Sequence, residues 1–445
     1  MRPVAKQSGH FAAALSEPKF ALFAAGQLVS QFGDYLAQMA LIAVIGAYTT
    51  RAPLAYSQIT VAIALPALLF GPIVGVVVDR RAKSKVLIAA DAGRAIIIGL
   101  IPLLMKVTGS VLILFPLVFI SFLMGLFASA ARLSLIPYLV PQNKIFAANA
   151  VMNFINKLAG MVGFVGGGLL VVGGFWRHLK LQPWEAGFYL DSLTFLISVV
   201  TIAMLKTGEK VIESQREPEL AQLWRRRINN LKADLKELWT LIFSSPKVKF
   251  VMLSLLLVAI FGGTLYPLVV VIVQKGIRGS IGSGTGGVGV LGGIFALGMM
   301  LGSLSIGFLG HRYSRRMIIV VGLLGVGTMV SLFALCRSYW QLLPVGLLIG
   351  VFLSPVMVAQ DTLLHESAPD KLWGRIFSGR DFVLNGGFML SSLFFGFIAQ
   401  IILPRLGTTN HERVTLFWCG ILLAVFSLVA AGIVVKQKKA ESSHG

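Results

Sequence analysis

The chain has 445 residues, of which 56% are hydrophobic and 13% charged, with a mean hydropathy of +0.83. A soluble domain carries roughly 25% charged residues, and a water-soluble core of this length does not bury so much apolar side chain, so the bilayer is the natural solvent. The net charge of +21 would suit a nucleic-acid binder, but Lys and Arg lie between apolar blocks and not on one basic face, so no nucleic-acid partner is expected.

Twelve apolar blocks follow one another, each long enough to cross a bilayer in about 20 residues. They cover 20–48, 58–78, 86–105, 110–135, 146–173 and 186–205, then 250–274, 289–310, 317–336, 341–364, 376–403 and 415–435. The expectation is an all-α membrane protein of twelve transmembrane helices in two six-helix, pseudo-symmetric halves. Residues 1–205 form the first half, 206–249 a linker, and 250–445 the second half. The residues before the first span lack a signal peptide's apolar run and cleavage site, so that span is expected to act as an uncleaved insertion signal.

In-span polar residues are costly in lipid, so each is a site candidate by default. In span 1, Gln27, Gln31, Asp34 and Gln38 recur at helical spacing, with Asp34 near mid-span. The signature-like stretch Gly75-Val-Val-Val-Asp79-Arg80-Arg81-Ala-Lys83 follows span 2. Span 3 carries Asp91 and Arg94, three apart, expected to pair with each other or to join a gate at the membrane face. Arg132, late in span 4, is expected to lie at the interface with its head in water. Span 5 brings a second stripe, Asn149, Asn153, Asn156 and Lys157. An ion pair between Asp34 and Lys157, exchanging partners as a proton or substrate arrives, is the sharpest expectation; a permanent pair that only aligns helices is the plainer one. Asp191 in span 6 has no assigned role.

The linker is polar from Lys206 to Glu219, then places Leu220, Leu223, Ile228, Leu231 and Leu235 at helical spacing beside Arg225–Arg227. That segment would lie on an anionic leaflet or serve as a plain tether. In the second half, span 7 offers only Ser254, Thr264 and Tyr266, and span 11 Asn385. Glycines at 276, 279, 282, 284, 286, 287 and 289 mark the loop before span 8 as a flexible linker. Asp361, late in span 10, is expected to be structural. The stretch Gly307-Phe-Leu-Gly-His311-Arg312-Tyr-Ser-Arg315 repeats the earlier loop 232 residues on, and Pro141 recurs as Pro369. Such a repeat is a transporter architecture.

Sidedness follows from the basic residues. With twelve spans, 26 of the 39 Lys and Arg fall on the side of the termini, 9 on the other and 4 within spans. The orientation rule then puts both termini in the cytoplasm.

The loop Gly75-x-x-x-Asp79-Arg80-Arg81-x-Lys83-x-Lys85, with its degenerate copy after span 8, resembles the signature of the major facilitator superfamily. Gly26-Gln27-x-x-Ser30-x-x-Gly33-Asp34, Ile136-Pro-x-Leu-Val-Pro141 leading to Ala148-Asn149-Ala150, and Leu190-Asp191-x-x-Thr-Phe195 resemble its macrolide-efflux exporters, a group that includes siderophore exporters. Gly71–Lys85 and Phe32-Gly-Asp34 are similar to lysophospholipid transporters too. Span 5 departs from the Gly-Pro-x-x-Gly-Gly of drug–proton antiporters, with Phe164 where they have proline. The resemblance implies that spans 1 and 5 border the central cavity. It also implies a gate built from Gly75, Asp79, Arg80, Lys83, Gly307, Arg312, Arg315, Arg380 and Asp381, with Asp79 capping span 11 and Arg80 and Lys83 pairing with nearby acidic groups.

The reading that follows is a proton-coupled secondary exporter of a small amphipathic molecule in a bacterial inner membrane, monomeric and in contact with lipid. A lysophospholipid flippase and a siderophore or iron transporter are alternatives, as is a non-transporting scaffold or receptor. The sequence has no nucleophile–base constellation, no His-Glu-x-x-His and no cofactor loop, so no enzyme and no cofactor are expected. Cys336 and Cys419 form no metal motif, and no metal site is expected.

Overall fold

A computed structural model describes residues 14–49, 52–172, 176, 178, 180–205, 207, 209, 245–275, 284–309, 313–367, 373–405 and 410–442. The linker's amphipathic stretch, glycines 276–282 of the loop before span 8, and both His311 and Arg312 lie outside them. Among the described residues, twelve helices contain spans of 19 to 31 residues apolar enough to cross a membrane. They are α1 (Pro18–Tyr48), α2 (Ala52–Arg80), α3 (Lys83–Thr108), α4 (Leu114–Leu135), α5 (Ile145–Val172) and α6 (Pro183–Ala203). Then come α7 (Pro246–Lys275), α8 (Thr285–Leu309), α9 (Arg315–Leu335), α10 (Tyr339–Ser367), α11 (Trp373–Phe397) and α12 (His411–Ser442). Among the described residues there is no strand.

Most helices run past their apolar blocks because backbone hydrogen bonding continues beyond the lipid-like stretch, whereas α4 and α11 are shorter than theirs. Among helix starts the largest difference is at α2, which begins at Ala52 and not 58. Tyr56 and Ser57 there are fully buried, and the Ser57 and Thr60 hydroxyls donate to carbonyls one turn back, at 2.9 Å each, so neither is stranded in an apolar setting. The start of α8 at Thr285 likewise absorbs Gly286, Gly287 and Gly289, read from sequence as loop; the Gly287 carbonyl accepts a 2.8 Å bond from Tyr339 Oη. Local signals set several ends: a reciprocal Gln182/Glu185 cap opens α6, Ser314 caps α9, and Gly109 closes α3 in the left-handed region at φ 60°.

The chain divides into two compact units. The first comprises Met1–Tyr48 and Leu65–Ile228; the second comprises Thr49–Ala64 and Asn229–Gly445, so α2 contributes its two ends to different units. Within the first unit, α1 packs on α5 and α6, and α3 packs on α4 and α6. Within the second, α7 packs on α11 and α12, and α9 on α10 and α12. These four pairings therefore repeat with a step of six helices, as the duplicated loop anticipates, while α8 also packs closely on α10 without a match of that extent between α2 and α4.

Close approach is built from small residues. On α5, a Cβ at Gly163 would come 2.7 Å from Tyr35 Cβ of α1, and one at Gly167 would come 3.3 Å from the Leu36 Cα. The glycine face of span 5 is thus the seam against α1. The first unit's apolar core includes Phe20, Phe23, Val78, Leu87, Leu135 and Ile202. It occupies the end bearing the Asp79–Lys83 loop and leaves mid-bundle to polar side chains.

Candidate functional site

The polar face of α1 turns inward as its spacing requires. Gln27 is fully buried and donates to Ser198 Oγ of α6 at 3.1 Å. Ser198 in turn donates to Asp91 Oδ2 of α3 at 2.7 Å. One turn on, Gln31 accepts from Asn156 Nδ2 of α5 at 2.7 Å. Three helices are tied to α1 by this ladder.

Asp34 is joined to Arg94 of α3, not to Lys157. Asn156 faces Gln31, and the next residue on an α-helix points about 100° away; Lys157 is accordingly exposed. The expected Asp91–Arg94 pair is not found either. The short Asp91 side chain reaches Ser198 on α6, while the longer guanidinium reaches across to α1 and stacks 4.1 Å from the Phe195 ring centroid. Asn149 and Asn153 stay on α5, where Asn153 Nδ2 donates to the Asn149 carbonyl at 3.1 Å.

Two further charges complete the group. Asp191 of α6 is 1% exposed, and Thr194 Oγ1 donates to its carboxylate at 3.2 Å. The Arg132 Nε, expected in water, is instead buried without a hydrogen-bond partner, and the residue lies in electrostatic reach of Asp34 and Asp91. Among the described residues the buried charged side chains are Asp91, Arg94, Glu185 and Asp191, all in the first unit. Glu185 pairs at 3.0 Å with Lys106 at the far end of α3 and stands apart from the rest.

A cavity of about 270 Å³ opens among these groups, walled by α1, α3, α4, α5 and α6 of the first unit. Asp34, Arg94, Arg132 and Asp191 line it, with Gln38 and Asn156. Asp191 and Arg132 were the residues the sequence did not assign to the site. The signal for Asp191 was present in Asp191, Thr194 and Ser198, a polar stripe on α6 at helical spacing.

The gate residues form local contacts. Lys83 Nζ donates to the carbonyls of Asp79 at 2.7 Å and Arg81 at 3.0 Å, not to a carboxylate as expected. Glu209, just past α6, accepts from the Lys83 backbone N–H and, at 3.1 Å, from that of Ser84. It supplies the cap that Ala82 cannot. Asp79 and Arg80 are exposed, and a Cβ at Gly75 would meet nothing within 4 Å. In the second unit Arg380 pairs with Asp361 at 2.8 Å and Asp381 at 2.9 Å, Asn385 donates to the Asp381 carbonyl at 2.9 Å, and Arg315 meets Glu366 at 3.5 Å. Gly307 lies near the end of α8. No group of three or more His, Cys, Asp or Glu among the described residues is disposed to hold a metal.

The family model of the Major Facilitator Superfamily matches residues 23–287 and 268–444. A protein of Bacillus subtilis (strain 168) named as the bacilysin exporter BacE is 24% identical over 420 residues, covering 94% of this chain and 95% of its own. Macrolide efflux protein A of Streptococcus pyogenes is 23% identical over 404 residues, covering 88% and 91%. Among solved structures, a bacterial homologue of the human lysosomal transporter Spinster superposes with a TM-score of 0.69 at 14% identity, over 94% of this chain and 96% of that one.

Proposed function

This chain belongs to the major facilitator superfamily, and on that premise we propose that it exports a small amphipathic molecule in exchange for protons. It is a multi-pass membrane transporter of the efflux type and not an enzyme. The proposal concerns the coupling ion, the kind of substrate and the sidedness, with a monomer in a bacterial inner membrane and both termini in the cytoplasm.

One observation carries it. The charged group around the first unit's cavity comprises three carboxylates, Asp34, Asp91 and Asp191, against two guanidiniums, Arg94 and Arg132. With all five ionised, the group has one uncompensated negative charge in a setting where charge is expensive. A proton or a positively charged substrate removes that imbalance, and the two compete for the same role. Asp34 is the proposed proton carrier because it is 26% exposed and lines the cavity. Its protonation releases Arg94, which changes what holds α1 to α3. Rocking of the two halves, with the Asp79–Lys83 loop and its copy as gate, then converts that local change into alternating access.

The test is macrolide uptake into inside-out vesicles under an imposed pH gradient. Wild type should concentrate the drug, and Asp34→Asn should lose gradient-driven uptake while keeping gradient-free exchange. Undiminished gradient-driven uptake by Asp34→Asn would overturn the assignment.

A further inference from the structure

We propose that the basic ends of α7 and α9, side by side in the second unit, hold the headgroup of an anionic phospholipid. The inference stands apart from the exporter reading, because the charged cavity belongs to the first unit.

Two basic sequences meet there. α7 opens Pro246-Lys247-Val248-Lys249-Phe250, and α9 opens Arg315-Arg316. The first turn of neither helix carries an acid. The Arg316 guanidinium lies 6.0 Å from the centroid of the Phe250 ring, which brings the two ends together. Lys247 and Lys249 are exposed, and Arg315 and Arg316 are half-buried. Glu366, at the end of α10, meets Arg315 at 3.5 Å. Four cations with that one acid give the place a net positive charge among the described residues, and an anion is drawn to it.

The duplicated loop supplies a precedent within the same chain. A step of 232 residues carries Lys83 onto Arg315 and Ser84 onto Arg316. In the first unit that position receives a carboxylate: Glu209 accepts from the backbone N–H groups of Lys83 and Ser84. In the second unit a neutral group, the Ser314 hydroxyl, accepts from the Met317 N–H at 3.3 Å, and two arginines stand where the first unit has a lysine and a serine. The second copy is thus the more positive of the two.

The surface beyond the charges favours a lipid over a soluble anion. Tyr313, Met317, Val321, Leu332 and Leu335 are all exposed and follow helical spacing along the length of α9. On α7 the exposed Leu253 comes one turn after Lys249. A phosphate at the basic end sets an acyl chain along this apolar stripe, with Tyr313 at headgroup depth. A zwitterionic headgroup brings its own ammonium to the same cations, so the site prefers a phosphodiester without one.

Native mass spectrometry of the purified full-length chain in detergent tests this, with phosphatidylglycerol, phosphatidylcholine and inorganic phosphate as probes. Wild type should hold its first phosphatidylglycerol at least about tenfold tighter than phosphatidylcholine, and millimolar phosphate should not displace it; one basic residue at an anionic surface is worth about fivefold. Lys249→Gln/Arg316→Gln should lose the preference. Arg81→Gln/Lys85→Gln removes equal charge around the start of α3 and should keep it. If the first double variant does not fold, Lys247→Gln/Lys249→Gln, at two exposed positions, takes its place. Equal binding of the two lipids by wild type, a comparison that needs no variant, would overturn the proposal. So would an equal loss in Arg81→Gln/Lys85→Gln, or displacement of the lipid by phosphate.

Discussion

Arg94 on α3 and Asp34 on α1 form an ion pair inside the first unit, and the same guanidinium lies against the Phe195 ring of α6. One side chain therefore joins three helices. Arg94 is 9% exposed and Asp34 26%. Removing one partner strands the other, so Arg94→Gln should destabilise the protein by about 3 kcal/mol, the lower end for a broken buried pair because Asp34 retains some solvent. The Arg94→Gln/Asp34→Asn double variant should recover much of that loss. Thermal unfolding in detergent of the three variants checks this, and a double variant no more stable than Arg94→Gln alone would show that the pair is not what Arg94 contributes.

The α1–α5 seam gives a sharper steric contrast. A Cβ at Gly163 would approach Tyr35 Cβ to 2.7 Å, whereas at Gly166 the nearest atoms are on the Phe32 ring at 3.5 Å, an ordinary contact. Gly163→Ala should cost about 1–3 kcal/mol through overpacking, and Gly166→Ala should be near neutral. Equal melting temperatures for the two would place the seam elsewhere.

Glu209 makes the third case. Its carboxylate takes the first two amides of α3, where a negative charge also faces the positive end of the helix. Glu209→Ala should destabilise by about 1 kcal/mol, as for other lost N-caps, and should speed hydrogen exchange at the Lys83 and Ser84 amides ahead of the rest of α3. Unchanged exchange at those two positions would dismiss the cap.

The span count, the repeat and the inward face of α1 were legible in the sequence because each depends on spacing along one segment. The partners were not. Four in-span cations, Arg94, Arg132, Lys157 and Arg380, compete on paper for Asp34, and only the packing of α1 against α3 and α5 selects Arg94. Lys157 loses by a single residue of helical phase next to Asn156. Arg132 looked interfacial because it lies three residues from the end of α4, yet a guanidinium on a long stem reaches inward as easily as outward. Glu209 and Ser84 are 125 residues apart, beyond any local pattern. The start of α2 was missed because hydropathy weighs Tyr56 and Ser57 as polar, while burial and back-bonded hydroxyls make them good helix interior.

The second unit makes the same four helix contacts as the first, and among its described residues hydroxyls and amides pair in the interior, as Gln360 does with Ser254 at 2.9 Å. An uncharged interior is thus enough to build this frame. The two bundles share these contacts and differ in charge: among the described residues, fully buried charged side chains occur only in the first. What the first bundle adds to the shared frame is a charged wall around a cavity.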